Sequence, residues 1–189
     1  MTHSLITERL LVRPWQAIDK EPFAELNADP EVMRYFPATK SRAESDDLAD
    51  RISRHIARAG FGFWALEHRI TQEFLGFTGL AHVGSDLPFG PTVEIGWRLK
   101  RAAWGFGYAT EAARASLRFG FHIKQFPEIV AFTAVGNVPS QRVMERIGME
   151  RASDLFEHPS VAEGSPIRTH CLYRLTKSRW NDDSKLDVR

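Results

Sequence analysis

The sequence predicts a mixed α+β fold, a mostly antiparallel sheet of about six or seven strands flanked by helices. Two observations carry that prediction. Runs rich in β-branched and aromatic residues follow one another across short polar gaps, as at 61–67 and 74–83, in the manner of hairpins. Helical periodicity enters at only two or three places, so the chain lacks the strand-helix alternation of a regular parallel α/β sheet. With 189 residues, a single domain can bury a continuous core without a metal or a disulfide. It is expected over residues 1–176, with a frayed polar tail at 177–189.

The elements follow in order. Residues 5–13 mix β-branched and apolar positions with charges and stop at Pro14, reading as a first strand. Short helical pieces are expected at 19–28 and 30–35, the second started by Asp29-Pro30 and closed by Pro37. Ser41 and Glu44 have capping-box spacing, and Leu48, Ile52 and Ile56 recur every four residues before Gly60, giving an amphipathic helix. The runs at 61–67 and 74–83 form a hairpin, and Gly84 to Pro91 is a loop. A strand at 92–99 leads through a glycine loop into a helix that runs to about Lys124. On that helix Glu111, Arg114, Arg118 and His122 fall on one polar stripe. A strand at 129–135 precedes a helix capped by Asn137, with Pro139 in its first turn and Gly148 at its end. Strands near 150–156 and 167–176 complete the ordered part.

Composition excludes several classes. A formal net charge of +1 gives bulk electrostatics no reason to draw the chain to nucleic acid or an acidic membrane, and neither is an expected partner. Cys171 is the only cysteine, which excludes an intrachain disulfide and a four-cysteine zinc site. Glu8, Arg9 and Arg13 interrupt the first apolar stretch, and no run of roughly 18 apolar residues occurs, so a soluble cytoplasmic protein is expected. His55, His122 and His170 lack partners at ligand spacing, so no metal is expected.

The informative segment is Trp104-Gly105-Phe106-Gly107-Tyr108-Ala109-Thr110, between a strand and a helix start. Glycines permit conformations and close approaches that a side chain would block. The first amides of a helix are unpaired donors at the positive end of its dipole, a combination suited to a phosphate group. The nucleotide P-loop is excluded because no Lys-Ser/Thr follows the glycines, and the dinucleotide fingerprint because Thr110 stands at its third glycine. Taken alone, Gly-x-Gly at such a junction is also an ordinary tight turn.

Its company narrows the reading. With Glu94-Ile95-Gly96-Trp97 before it and Asn137-x-x-Ser140 through Ile147-Gly148-Met149 after it, the chain resembles the GNAT superfamily of acyl-CoA-dependent N-acetyltransferases. It is most similar to the RimJ/RimL type, the ribosomal-protein N-terminal acetyltransferases. The resemblance begins at Thr7-Glu8-Arg9-Leu10-Leu11-Val12-Arg13-Pro14 and reaches the last strand near Tyr173. One departure is Ala102, where the wider superfamily carries Gln or Arg.

The resemblance implies a splayed strand pair forming an acyl-CoA cleft, with acetyl-CoA as cosubstrate. Trp97, Arg98 and Leu99 would hold the pantetheine arm through the strand backbone. The loop residues Trp104 to Thr110 would wrap the pyrophosphate, and Asn137 would contact the cofactor. Direct attack by a primary amine, on a protein N-terminus or a small molecule, needs a base and a donor at the leaving thiolate. Glu94 and Ser140 match those family positions, while Met144 stands where many members place a Tyr acid. Each has a plainer reading: a strand acid can be a solvated face residue, and Asn137 and Ser140 can simply cap a helix. Tyr35, Phe36, Phe61 and Trp64 could line the acceptor pocket or belong to the core. A catalytically silent acyl-CoA-binding module is the rival to an enzyme, and a monomer or homodimer is expected.

Overall fold

In the computed structural model, which describes residues 3–183, the first apolar stretch is a small hairpin rather than one strand. Leu5–Ile6 (β1) pairs antiparallel with Leu10–Arg13 (β2), Leu5 opposite Val12. Thr7 causes the reversal. Its Oγ1 accepts from the Leu10 amide at 3.0 Å while its own amide donates to the Leu10 carbonyl at 3.0 Å, so a side chain competes with the extended ladder.

Lys20–Ala28 (α1) follows, but the helical piece expected at 30–35 is a series of separate turns. Asp29 Oδ1 accepts from the Glu31 amide, Met33 N donates to Asp29 O, and Phe36 N to Met33 O. Val32 and Met33 are buried, so tertiary packing sets this path. Arg42–Ala59 (α2) has the expected capping box, with Ser41 N donating to Glu44 Oε2 at 2.7 Å, and ends at left-handed Gly60. Phe63–His68 (β3) and Phe74–Val83 (β4) form the antiparallel hairpin. Then come Thr92–Leu99 (β5), Tyr108–Arg118 (α3), Glu128–Ala134 (β6), Val138–Arg146 (α4), Glu150–Glu157 (β7) and Thr169–Thr176 (β8). Phe119–Ile123 prolongs α3 as a π-helical turn.

The strands hydrogen-bond in the order β1-β2-β3-β4-β5-β6-β8-β7, mostly antiparallel, so the sheet has eight strands where the sequence pattern suggested six or seven. The extra count comes from the split of the first strand. The described residues cluster into two compact units, 3–81 with 96–116 and 82–95 with 117–183.

In the first unit Phe23 and Leu26 of α1, Ala49 of α2 and Ala65, Phe74 and Phe77 of the hairpin share one core, with Trp15, Leu48 and Phe63 packed against it. Each fully buried Phe contributes about 1.5–3 kcal/mol relative to exposure. Trp15 also donates from Nε1 to the Phe63 carbonyl at 2.7 Å. Arg13 is buried but fully paired, bidentate to Asp19 at 2.7 and 2.8 Å and bonded to Glu67 at 2.7 Å.

In the second unit β8 lies between β6 and β7, antiparallel to both, and β5 meets β6 in parallel with Glu94 opposite Val130. The segment from Lys177, expected to fray, is helical instead. Lys177–Asp183 (α5) buries Trp180, whose ring stacks on Phe121 at 5.8 Å. The rest of the expected tail, 184–189, lies outside the described residues.

Candidate active site

Strand β5 delivers the chain to the glycine loop. It ends at Leu99, turns through Arg101–Ala103 and passes into Trp104, whose Nε1 donates back to the Leu99 carbonyl at 2.9 Å. Gly105 and Gly107 have φ of 84° and 80°, the left-handed region that L side chains enter at a cost. Space is not the reason. A Cβ on Gly105 would meet nothing within 4 Å, and one on Gly107 only Arg9 Nη2 at 3.6 Å. The glycines serve the turn, which leads directly into α3.

The first intrahelical bond of α3 runs from Glu111 N to Gly107 O at 3.1 Å. Tyr108, Ala109 and Thr110 therefore precede it, and helix geometry leaves their amides for another acceptor. These three residues are half-buried, whereas Trp104 through Gly107 are exposed. The arrangement is a helix start with three amides free of intrahelical partners and an exposed loop in front of it, a geometry suited to an anion.

A brace from the N-terminal hairpin holds this loop. Arg9 Nη1 donates to the Phe106 carbonyl at 2.9 Å, and its guanidinium lies 4.8 Å from the Tyr108 ring centroid. Its Nε donates to Glu111 Oε2 at 2.7 Å, while the other oxygen of Glu111 accepts from Thr7 Oγ1 at 2.6 Å and the Arg9 amide at 2.9 Å. Burial works to raise the Glu111 carboxyl, but the hydrogen bonds from Thr7 and Arg9 and the Arg9 charge outweigh it and hold it below its usual range. The polar stripe on α3 marks Glu111 as a residue off the apolar face, but nothing in the local pattern pairs it with Thr7 and Arg9, about a hundred residues earlier.

Alternation along β5 puts Val93, Ile95, Trp97 and Leu99 on one face and Glu94, Gly96 and Arg98 on the other. Glu94 is half-buried, and burial pushes its carboxyl up to about 7. No side chain of a described residue hydrogen-bonds to it, so desolvation acts alone. A carboxyl with that value is close to half ionised at neutral pH, the state a general base needs. Trp97 is half-buried.

The expectation for Arg98 concerns its backbone, and its side chain has a place of its own. Its backbone lies on the strand assigned to the pantetheine arm, but its side chain reaches α1, donating from Nη1 to Asn27 Oδ1 at 2.5 Å. The guanidinium lies 4.0 Å from the Phe36 centroid and 5.3 Å from that of Phe77. Burial pulls it down to about 10.

Asn137 accepts from Ser140 N at 3.4 Å and donates from Nδ2 to Thr133 Oγ1 at 2.9 Å and Ser140 Oγ at 3.1 Å. Asn137 therefore caps α4 by taking the Ser140 amide, and the Ser140 hydroxyl, which accepts from Asn137, keeps its proton for donation elsewhere. Met144 is buried. Of the four aromatic candidates, Phe36 is 38% exposed and Tyr35 half-buried, whereas Phe61 is 3% exposed and Trp64 fully enclosed. The two enclosed rings have almost no surface to offer a ligand.

Among the described residues no helix is long and apolar enough to cross a membrane, and no group of three metal-ligating side chains occurs.

Comparison with known proteins agrees with this architecture. The acetyltransferase (GNAT) domain family matches residues 9–150, and the chain belongs to that family. An uncharacterized protein, YkkB, of Bacillus subtilis is 36% identical over 146 residues, covering 77% of this chain and 84% of its own length. The FsC-acetyl coenzyme A-N(2)-transacetylase of Aspergillus fumigatus is 28% identical over 94% of this chain and 77% of its own length. Among solved structures, an acetyltransferase of the GNAT family from Bacillus anthracis superimposes with a TM-score of 0.79 at 26% identity, over 93% of this chain and 99% of that one.

Proposed function

We propose that this chain transfers an acetyl group from acetyl-CoA to a primary amine by direct attack. The observation that carries the reading is the start of α3, where left-handed Gly105 and Gly107 present the Tyr108, Ala109 and Thr110 amides behind an exposed loop. Such donors fit the diphosphate of the cosubstrate. The exposed Trp104 and Phe106 side chains flank that position. Acetyl-CoA, when bound, supplies the acyl group as a thioester.

The chain's own residues do the rest. The backbone of Trp97, Arg98 and Leu99 aligns the pantetheine arm as an added strand. Glu94 takes a proton from the acceptor's ammonium before or during attack by the resulting amine, directly or through one water, and its carboxyl near neutrality suits that task. A backbone amide near Trp97 polarises the carbonyl. Ser140 donates toward the departing sulfur, with Asn137 fixing its hydroxyl and contacting the cofactor. Phe36 and Tyr35 form the acceptor wall, while the enclosed Phe61 and Trp64 belong to the core. We assign the protein to the cytoplasm, as a monomer or homodimer.

For the acceptor, a protein N-terminal amine follows from the RimJ/RimL resemblance. A small-molecule amine is the second reading, favoured by the name of the Aspergillus fumigatus relative, an N(2)-transacetylase of FsC. Thiol release from acetyl-CoA, followed with short peptides and small amines in parallel, tests both. Turnover on peptides alone supports the first and on small amines alone the second. Tight CoA binding with no turnover on any amine would instead make the chain a catalytically silent acyl-CoA-binding module.

A further inference from the structure

Two arginines in the first unit, buried Arg13 and half-buried Arg98, are treated very differently. Arg13 is met by two carboxylates, Asp19 and Glu67. Arg98 is met by none: among the described residues no carboxylate pairs with it, and its buried Nε has no hydrogen-bond partner. What it receives is the neutral carbonyl oxygen of Asn27 and the faces of Phe36 and Phe77. A guanidinium withdrawn from water without a counter-charge is costly, and a fold that supplies two carboxylates to Arg13 supplies only an amide here.

The amide is held in place. Asn27 and Ser45 are both fully enclosed, and Asn27 Nδ2 donates to Ser45 Oγ at 2.9 Å. That bond turns Oδ1 toward Arg98, and the flipped amide would set donor against donor. The two rings hold the planar group by cation-π contact. Phe36 is 38% exposed and Arg98 is half-buried, with only its Nε enclosed, so this pair is not part of the sealed core. Arg98 also shares its face of β5 with Glu94, four residues earlier.

We propose that Arg98 is an acceptor-recognition residue, its guanidinium positioned by Asn27 and Phe36 to bind a carboxylate carried by the amine substrate. This rests on the acetyl-transfer reading above and narrows it to amines that bear an anionic group, such as a free amino acid or a peptide with an acidic residue near its N-terminus. A planar fork matches a carboxylate through two parallel bonds.

The test compares twin acceptors whose amines are alike and that differ in that charge: a peptide carrying Asp at its second position with the Asn peptide, and one carrying Glu there with the Gln peptide. Wild-type kcat/KM is expected to favour the charged twin about 10–100-fold, chiefly through KM, as for hydrogen bonds to a charged group. Arg98→Gln should bring the ratio close to one. Asn27→Asp should do the same with a side chain of the same shape, because it gives Arg98 an internal counter-charge. A merely structural role for Arg98 would slow both twins alike and keep the ratio.

The same twins are titrated calorimetrically against the protein with and without CoA. Failure of CoA to bind would sink the acetyl-transfer reading, while the charged twin's preference for wild type over the two variants still decides the role of Arg98. A wild-type ratio near one in both turnover and binding, or a preference that survives both substitutions, would overturn the proposal.

Discussion

Replacing Glu111 with Gln removes one charge from the brace behind the glycine loop and keeps the shape of the side chain. In the wild type that carboxylate accepts from Thr7 Oγ1 and the Arg9 amide through one oxygen and from Arg9 Nε through the other, while Arg9 also holds the Phe106 carbonyl. The glutamine side chain could accept through only one oxygen, and its NH₂ group would face the Arg9 guanidinium donor to donor. A hydrogen bond to a charged group contributes about 1.5–3 kcal/mol, but the Arg9 side chain is 41% exposed, so solvent screening reduces the loss to about 1–2 kcal/mol. Part of that loss falls on stability and part on the order of the loop. CoA affinity should weaken measurably, by no more than about 30-fold at 1.4 kcal/mol per tenfold, as measured by calorimetric titration.

The pH dependence supplies a second check. The folded-state value of Glu111 is depressed, so its contribution is present above the ordinary carboxylate range and is lost as pH falls through the folded value. Urea stability of the wild type should therefore drop on acidification by more than that of Glu111→Gln. An unchanged CoA affinity in the variant, with wild-type stability at neutral pH, would refute the idea that this brace shapes the loop.

Glu94→Gln should lower kcat by about 10²–10⁴-fold with little change in CoA affinity, and the rise of wild-type rate through about pH 7 should vanish; a variant as fast as wild type rules out the base. Because burial raises the Glu94 carboxyl, its ionisation destabilises the fold as pH climbs from the ordinary carboxylate range to about 7, so Glu94→Gln should melt above wild type at pH 8 and near it at pH 5, as followed by circular dichroism. Gly107→Ala places a side chain at φ 80°, with an expected loss of about 1–2 kcal/mol in denaturant unfolding and weaker CoA binding; equal stability would show that the turn relaxes freely. Asn137→Ala removes the α4 cap and should cost about 1 kcal/mol, while a fall in kcat beyond what thermal stability explains would separate a role at the thiolate from capping.

Local rules made much of the fold readable. Ser41 and Glu44 form their capping box, Gly60 closes α2, Asn137 caps α4, and β5 occupies the residues its pattern indicated. Each depends on partners within a few positions. Local rules failed where distant contacts intervened. The tail became α5 because Trp180 finds Phe121, and 30–35 stayed in turns because Val32 and Met33 are drawn into the core. Among the site residues, aromatic character alone could not separate exposed Phe36 from enclosed Trp64, since both ring types serve cores and ligand walls equally well.

The sequence by itself determined the glycine loop, the helix it opens and the acetyltransferase family to which both belong, because backbone conformation and helix-end donors depend on neighbours in the chain. Tertiary structure alone decided that Arg9 and Thr7 grip Glu111, that Glu94 is desolvated, and that Arg98 meets Asn27 rather than a carboxylate. Charge and burial depend on what folding brings near, and 71 residues separate Arg98 from the amide that holds it.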